Sequence, residues 1–153
     1  MKIGIVMGSK SDLGVMESAM ETCREFDVEY DMRILSAHRT PKELEAWVSG
    51  ALDQGIEVII AAAGGAAHLA GVVAAFTTMP VIGVPIKSRS LEGLDSLLSM
   101  VQMPPGVPVA CVGIDGAKNA ALLAIEIMAL KHPELSEKMD EFRRQQAAKV
   151  LNS

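Results

Sequence analysis

The run Val58-Ile59-Ile60-Ala61-Ala62-Ala63, followed at once by Gly64-Gly65-Ala66-Ala67-His68-Leu69-Ala70-Gly71, decides the architecture of this chain. Apolar residues without polar alternation, over the length of one strand, describe a strand buried on both faces. Such a sheet is covered by crossover helices, so the flanking segments should alternate between strand and helix. The glycines and alanines that follow let the backbone come close to a ligand or to another helix, and the sequence leaves both uses open. His68 falls near the start of the next helix.

Toward the N-terminus, Lys2 to Met7 reads as a strand that runs into Gly8-Ser9-Lys10-Ser11-Asp12. Leu13, Met16, Met20 and Cys23 then recur at steps of three and four, the period of an amphipathic helix. Gly8 permits a tight turn, and the hydroxyls of Ser9 and Ser11, with the free N–H groups of a helix start, suit an anion. Ser11 or Asp12 serves equally well as an ordinary N-cap. The segment is neither a Walker A nor a GxGxxG motif.

Val28 to Leu35 alternates as a second strand and leads into Ser36-Ala37-His38-Arg39-Thr40-Pro41. An imidazole with an ordinary pKa of about 6.5 both gives and takes a proton near neutral pH. The planar donor fork of Arg39 matches phosphate or carboxylate. Thr40, Pro41 and Glu43 have the spacing of a capping box with proline in the first turn. A helix is therefore expected from Pro41 to about Gln54, stopped by Gly55. A histidine or arginine alone in a loop is more often a structural or solvated residue; the pair between a strand and a helix points to a ligand site.

Toward the C-terminus, Pro80 to Pro85 forms a fourth strand, Leu94 to Val101 a helix and Val107 to Val112 a fifth strand. Asn119 to about Lys131 is apolar on most faces, so the sheet or another subunit should cover it. After His132-Pro133 a charged helix runs to about Leu151, with His132 placed to interact with a helix C-terminal dipole. Lys10, Arg39, Lys87 and Arg89 all fall in strand-to-helix loops, a local positive excess that favours an anionic small molecule.

No repeat or second domain is visible, and residues 1–153 are expected to form one α/β domain. It should be a three-layer α/β/α, flavodoxin-like fold, with a five-stranded parallel sheet in the order 2-1-3-4-5 and a C-terminal helix. In that order the loops after strands one, two and three converge on one crevice.

Composition narrows the function. The 153 residues carry a net charge of −5 and only five aromatics (one Trp, one Tyr, three Phe), which argues against nucleic-acid binding and a flavin sandwich. Hydrophobic residues make up 50% and mean hydropathy is +0.29, so some apolar surface should meet other subunits. Cys23 and Cys111 have no metal-ligand spacing and suggest neither zinc nor a disulfide framework. No apolar stretch reaches the ~20 residues of a membrane span. With no signal-peptide pattern visible, a cytoplasmic location is expected.

The motifs resemble those of class I N5-carboxyaminoimidazole ribonucleotide mutases. The resemblance is carried by Met7-Gly8-Ser9-Lys10-Ser11-Asp12, Ser36-Ala37-His38-Arg39-Thr40-Pro41, Gly64-Gly65-Ala66-Ala67-His68-Leu69, Gly93-Leu94-Asp95-Ser96-Leu97 with Val101-Gln102-Met103-Pro104, and Asn119-Ala120-Ala121-Leu122-Leu123-Ala124. It implies a homo-octamer without metal or organic cofactor that acts in purine (IMP) biosynthesis. It also implies a partner enzyme that makes the carbamate substrate from aminoimidazole ribonucleotide, ATP and bicarbonate.

In that family the carbamate is lost as carbon dioxide, which stays in the pocket and is added to C4 of the same ring. By resemblance, His38 is the catalytic proton carrier, Ser9 and Arg39 hold the phosphate and Asp12 the ribose. Gly65, His68 and Leu69 line the base and carbon dioxide pocket, with Gly8 and Ser36 in the same binding motifs. Two segments depart from the family pattern, Lys87-Ser88-Arg89-Ser90 and Ile114-Asp115-Gly116-Ala117-Lys118. The related class II carboxylases use free carbon dioxide and typically carry Ala-His-Lys where this chain has Ala37-His38-Arg39. A phosphate-binding or signalling module on the same fold is the non-catalytic alternative.

Overall fold

The computed structural model describes residues 1–152. Its strands are β1 (Lys2–Met7), β2 (Glu29–Ile34), β3 (Ile56–Gly64), β4 (Val81–Ile86) and β5 (Ala110–Cys111). All pair in parallel in the order β2-β1-β3-β4-β5, as the sequence led us to expect. The helices are α1 (Leu13–Glu25), α2 (Pro41–Ser49), α3 (Leu69–Ala75), α4 (Leu94–Val101), α5 (Ala117–Ala129) and α6 (Pro133–Leu151).

Alternation along the buried strands sorts side chains into two cores. Ile3, Ile5, Met7, Val58, Ile60 and Ala62 face α1, α5 and α6, while Val6, Ile59, Ala61 and Ala63 face α2, α3 and α4. Adjacent residues of β3 thus serve opposite layers, which is why this strand has no polar face. Alternation puts position 4 on the second face, and glycine fits there because a Cβ would stand 3.1 Å from the nearest ring carbon of Trp47 in α2.

Several boundaries differ from expectation. β5 is two residues rather than Val107 to Val112, because Pro104, Pro105 and Pro108 remove ladder donors beside and within that run. α2 ends at Ser49, with Gly50 in the cap, and residues 51–55 continue as hydrogen-bonded turns to Gly55. The capping box does not form. The Thr40 hydroxyl instead accepts from the Ser36 N–H (2.8 Å) and lies 3.2 Å from the Ser36 carbonyl, closing the loop on itself.

The ring of His132 reaches Glu57 rather than a helix dipole, with Nε2 2.9 and 3.0 Å from the two carboxylate oxygens. α5 turns out to be covered from within the chain by α1, α6 and the sheet. The exposed apolar stripe lies instead on and beside α4: Leu91, Leu94, Leu98 and Val101. Cys23 is buried, and burial pushes its thiol up to about 11. Among the described residues no helix is long and apolar enough to cross a membrane.

Candidate active site

Parallel strands deliver their following loops to one edge of the sheet, and the loops after β1, β2, β3 and β4 surround a cavity of about 590 Å³. Gly8, Ser9 and Asp12 enter from the first loop, Ser36, His38 and Arg39 from the second, and Gly65, His68 and Leu69 from the third. The predicted site residues therefore share one cavity. Of the four loop cations, Arg39, Lys87 and Arg89 line it, whereas Lys10 is not among the lining residues.

His38 and His68, thirty residues apart in sequence, meet edge to face. Nε2 of His38 lies 2.8 Å from Nδ1 of His68, with ring centroids 5.0 Å apart and planes at 85°. A bond between two imidazoles needs one N–H and one lone pair, so at most one of the facing nitrogens carries a proton. The pair can pass that proton along, and among the described residues no carboxylate is bonded to either ring. Sequence reading placed His68 in the pocket but not on His38.

The loop after β2 is shaped to hold this ring. Thr40 closes onto Ser36, and Ser36 Oγ receives the Arg39 N–H at 3.2 Å. Arg39 Nη2 donates to the Gly8 carbonyl at 2.9 Å, joining the first two loops. Neither Arg39 nor Arg89 forms an ion pair among the described residues. Lys87 is paired with Glu92 at 2.5 Å. An anion entering this cavity meets guanidinium groups that are not tied up in a close ion pair among the described residues.

Ser9 caps the short turn Lys10–Asp12 by accepting from the Ser11 N–H at 3.3 Å. Asp12 makes no capping bond, so the N-cap reading of that residue fails. Asp12 as a residue is 6% exposed, and its carboxyl accepts from the Ser11 hydroxyl at 3.1 Å. Burial pushes its pKa above the ordinary range, against the Ser11 hydrogen bond and the Arg39 charge, which pull it down. A buried carboxylate at a cavity wall is an acceptor placed for hydroxyls.

Gly65 takes a left-handed conformation at φ +67°, which excludes most side chains, and donates its N–H to Ser96 Oγ at 2.9 Å. Ser88, Asp95 and Ser96 are the residues that reading the sequence left without roles. The available signal was a hydroxyl and a carboxylate side by side in the first turn of a helix that is otherwise mostly apolar. Among the described residues no cluster of His, Cys, Asp and Glu could hold a metal ion.

Comparison with known proteins bears on this site. A family model described as AIR carboxylase matches residues 2–149. The N5-carboxyaminoimidazole ribonucleotide mutase of Pyrococcus abyssi is 63% identical over 142 residues, which span 93% of this chain and 82% of that protein. The mutase of Vibrio cholerae is 50% identical over 155 residues, covering 100% of this chain and 96% of its own. The crystal structure of Treponema denticola PurE superposes with a TM-score of 0.89 at 33% identity, covering 99% of this chain and 94% of that one.

Proposed function

The chain belongs to the AIR carboxylase family, and from that premise we infer that it converts N5-carboxyaminoimidazole ribonucleotide to 4-carboxy-5-aminoimidazole ribonucleotide, a step of purine biosynthesis. The observation that carries the reading is the His38–His68 pair, held 2.8 Å apart at the wall of a cavity that also presents Arg39. The aminoimidazole is an electron-rich enamine that attacks carbon dioxide itself, so the protein must mainly move protons and keep water out.

His38 gives a proton to the exocyclic nitrogen as the carbamate leaves, and takes one from C4 after the new bond forms. His68, sharing a hydrogen bond with His38, keeps the ring oriented through both transfers. Arg39 and Ser9 hold the phosphate, and Asp12 accepts from the ribose hydroxyls. Gly65 and Leu69 line the place where carbon dioxide waits, with Gly8 and Ser36 fixing the Arg39 side.

The whole chain, residues 1–153, acts as one domain and assembles as a cytoplasmic homo-octamer. The exposed stripe of Leu91, Leu94, Leu98 and Val101 supports assembly, as does the solvent exposure of His38, Arg39 and His68, which a neighbouring subunit would cover. Its substrate comes from an enzyme that carboxylates aminoimidazole ribonucleotide with ATP and bicarbonate.

The test supplies the carbamate substrate in bicarbonate-free buffer, with size exclusion and light scattering on the same sample. Formation of the 4-carboxy product by an oligomer is expected. Product formed only from aminoimidazole ribonucleotide and added carbon dioxide would assign the class II carboxylase reaction instead. A fully active monomer would refute the assembly and the shared site.

A further inference from the structure

The wall that carries His68 begins at Gly65, which is open on its Cβ side. A Cβ on Gly65 would find nothing within 4 Å, so no side chain packs against that side of the residue and its backbone hydrogen bonds matter the more. From there the backbone is tightly coiled: Ala67 N–H donates to the Gly65 carbonyl at 2.8 Å and His68 N–H to the Ala66 carbonyl at 2.9 Å. Any shift of Gly65 is handed on to His68, and from its Nδ1 to His38.

The hydrogen bonds converge on the first turn of α4. Ser96 is fully buried, and its Oγ accepts from the Gly65 N–H at 2.9 Å while donating to the Ile86 carbonyl at 2.7 Å. One hydroxyl thus fastens the end of β3 to the end of β4. Asp95 Oδ1 accepts the Ser96 N–H at 2.9 Å and the Ser88 hydroxyl at 2.6 Å. Ser88 Oγ in turn accepts from the N–H groups of Leu91 and Gly93, both at 3.3 Å. Ser99 donates to the Asp95 carbonyl at 2.7 Å, and its hydroxyl lies 3.4 Å from the Gly65 carbonyl. Every member of this relay is bonded, and it ends on Gly65 at the cavity wall.

We propose that Ser96, oriented by Asp95, is a positioning residue that keeps the Gly65–His68 wall closed over the carbon dioxide set free in the reaction. The proposal rests on the mutase reading above. In the first half-reaction the bond from nitrogen to the carbamate carbon breaks, carbon dioxide leaves and the nitrogen takes a proton. In the second, C4 forms a bond to the same carbon dioxide and gives up its hydrogen as a proton. Between the halves the pocket holds two neutral-ended partners with no covalent link. A wall displaced by a fraction of an ångström leaves a gap through which carbon dioxide escapes, and aminoimidazole ribonucleotide, already protonated on nitrogen, is released as a by-product. Arg39 and Ser9, assigned above to the phosphate, stand on the loops after β2 and β1, so Ser96 acts chiefly on retention rather than on substrate affinity.

The experiment uses the full chain and a carbamate substrate labelled with carbon-13 in the carboxyl, in buffer containing excess unlabelled bicarbonate. Wild type, Ser96→Ala and Asp95→Ala are compared for turnover, KM and label retained in the product, with circular dichroism as a check on folding. Wild type is expected to retain its label. Ser96→Ala should lose turnover about ten- to a hundredfold, with label washed out or free aminoimidazole ribonucleotide formed in roughly a tenth or more of turnovers. Its KM should stay within about threefold of wild type, because the Arg39 side is untouched. Full retention of label in Ser96→Ala, whatever its rate, overturns the proposal. If that variant does not fold, the half-buried Asp95→Ala decides by the same criterion. Washout by the wild type itself would remove both this proposal and the mutase reading; retention by wild type and variants alike removes the proposal only.

Discussion

His38 and His132 stand at opposite ends of the same parallel sheet, and what faces each ring differs. His38 meets another imidazole at 2.8 Å. His132 meets the Glu57 carboxylate at 2.9 and 3.0 Å, in a cluster that also holds Lys131 Nζ at 3.4 Å and the N-terminal amine at 4.0 Å. A carboxylate can only accept, so the imidazole nitrogen facing it must carry the proton. Another imidazole offers a lone pair or a proton in turn, so either facing nitrogen can carry it. One end of the sheet therefore holds its proton in place and the other leaves one to be exchanged.

The largest expected effect breaks the proton-exchanging end. His38→Asn should keep the fold by far-UV circular dichroism and lose about 10²–10⁴-fold in turnover, the usual worth of general acid–base catalysis. His132→Asn should stay within about twofold of wild type in the same assay, since it lies across the sheet from the cavity. Similar losses in both would erase the distinction between the two ends.

A smaller effect sharpens the other end. Burial raises the Glu57 pKa, but the hydrogen bond and charge of His132, with Lys131 behind them, outweigh it and leave the pKa below its ordinary 4.5. A depressed carboxyl stabilises the fold above that ordinary value, and the contribution is lost as the pH falls through the lowered native value. The Glu57 side chain is 22% exposed, so solvent screening limits the contribution to about 1 kcal/mol. Glu57→Gln should lower Tm by about 2–4 °C at neutral pH. The two melting curves should converge as the pH is taken well below 4.5, and a gap that persists there would rule out the ion cluster as its source.

The smallest effect has the opposite sign. The Asp12 pKa is raised from 3.8 mainly by burial, so its ionised form costs stability at neutral pH. The stabilising contribution of the protonated form is complete below 3.8 and vanishes as the pH rises through the native value. Asp12→Asn should therefore gain about 1–3 °C in Tm at pH 7 and little at pH 3, while binding the ribonucleotide more weakly. A lower Tm at pH 7 would show that the ionised carboxyl is a support of the fold instead of a cost borne for the ligand.

The architecture was legible because it depends on period and punctuation. Val58 to Ala63 is recognisable as a buried strand and Lys2 to Met7 as a strand from their apolar runs, and the sheet order is the commoner one for five strands alternating with helices. Where prediction failed, a residue had two possible partners. Thr40 could bond the helix start ahead or the loop behind, and the loop won because closing it also orders Ser36 and Arg39. Asp12 could cap α1 or face the cavity, and local sequence gave no preference. The loops carrying His38 and Arg39 were found through residue chemistry and placement. The contact between His38 and His68 was not, since pairing across 30 residues is set by register between strands. The Ser88–Asp95–Ser96 relay was hidden because most of its bonds go to backbone groups that every residue possesses.

Trp47, the only tryptophan in the chain, lies buried over Gly4 with its Nε1 donating to Asp31 at 2.8 Å. The protein thus carries a single indole, on the α2 layer, which excitation at the red edge of absorption selects over Tyr30. Its emission reports whether α2 remains docked on the first strand, and is blind to loosening confined to α1, α5 and α6. Circular dichroism weighs both layers together, dominated by the long helices of the silent side. Denaturation followed by the two signals at once distinguishes a molecule whose layers separate in one cooperative step, with superimposed transitions, from one that sheds its silent layer first and keeps its tryptophan signal until later.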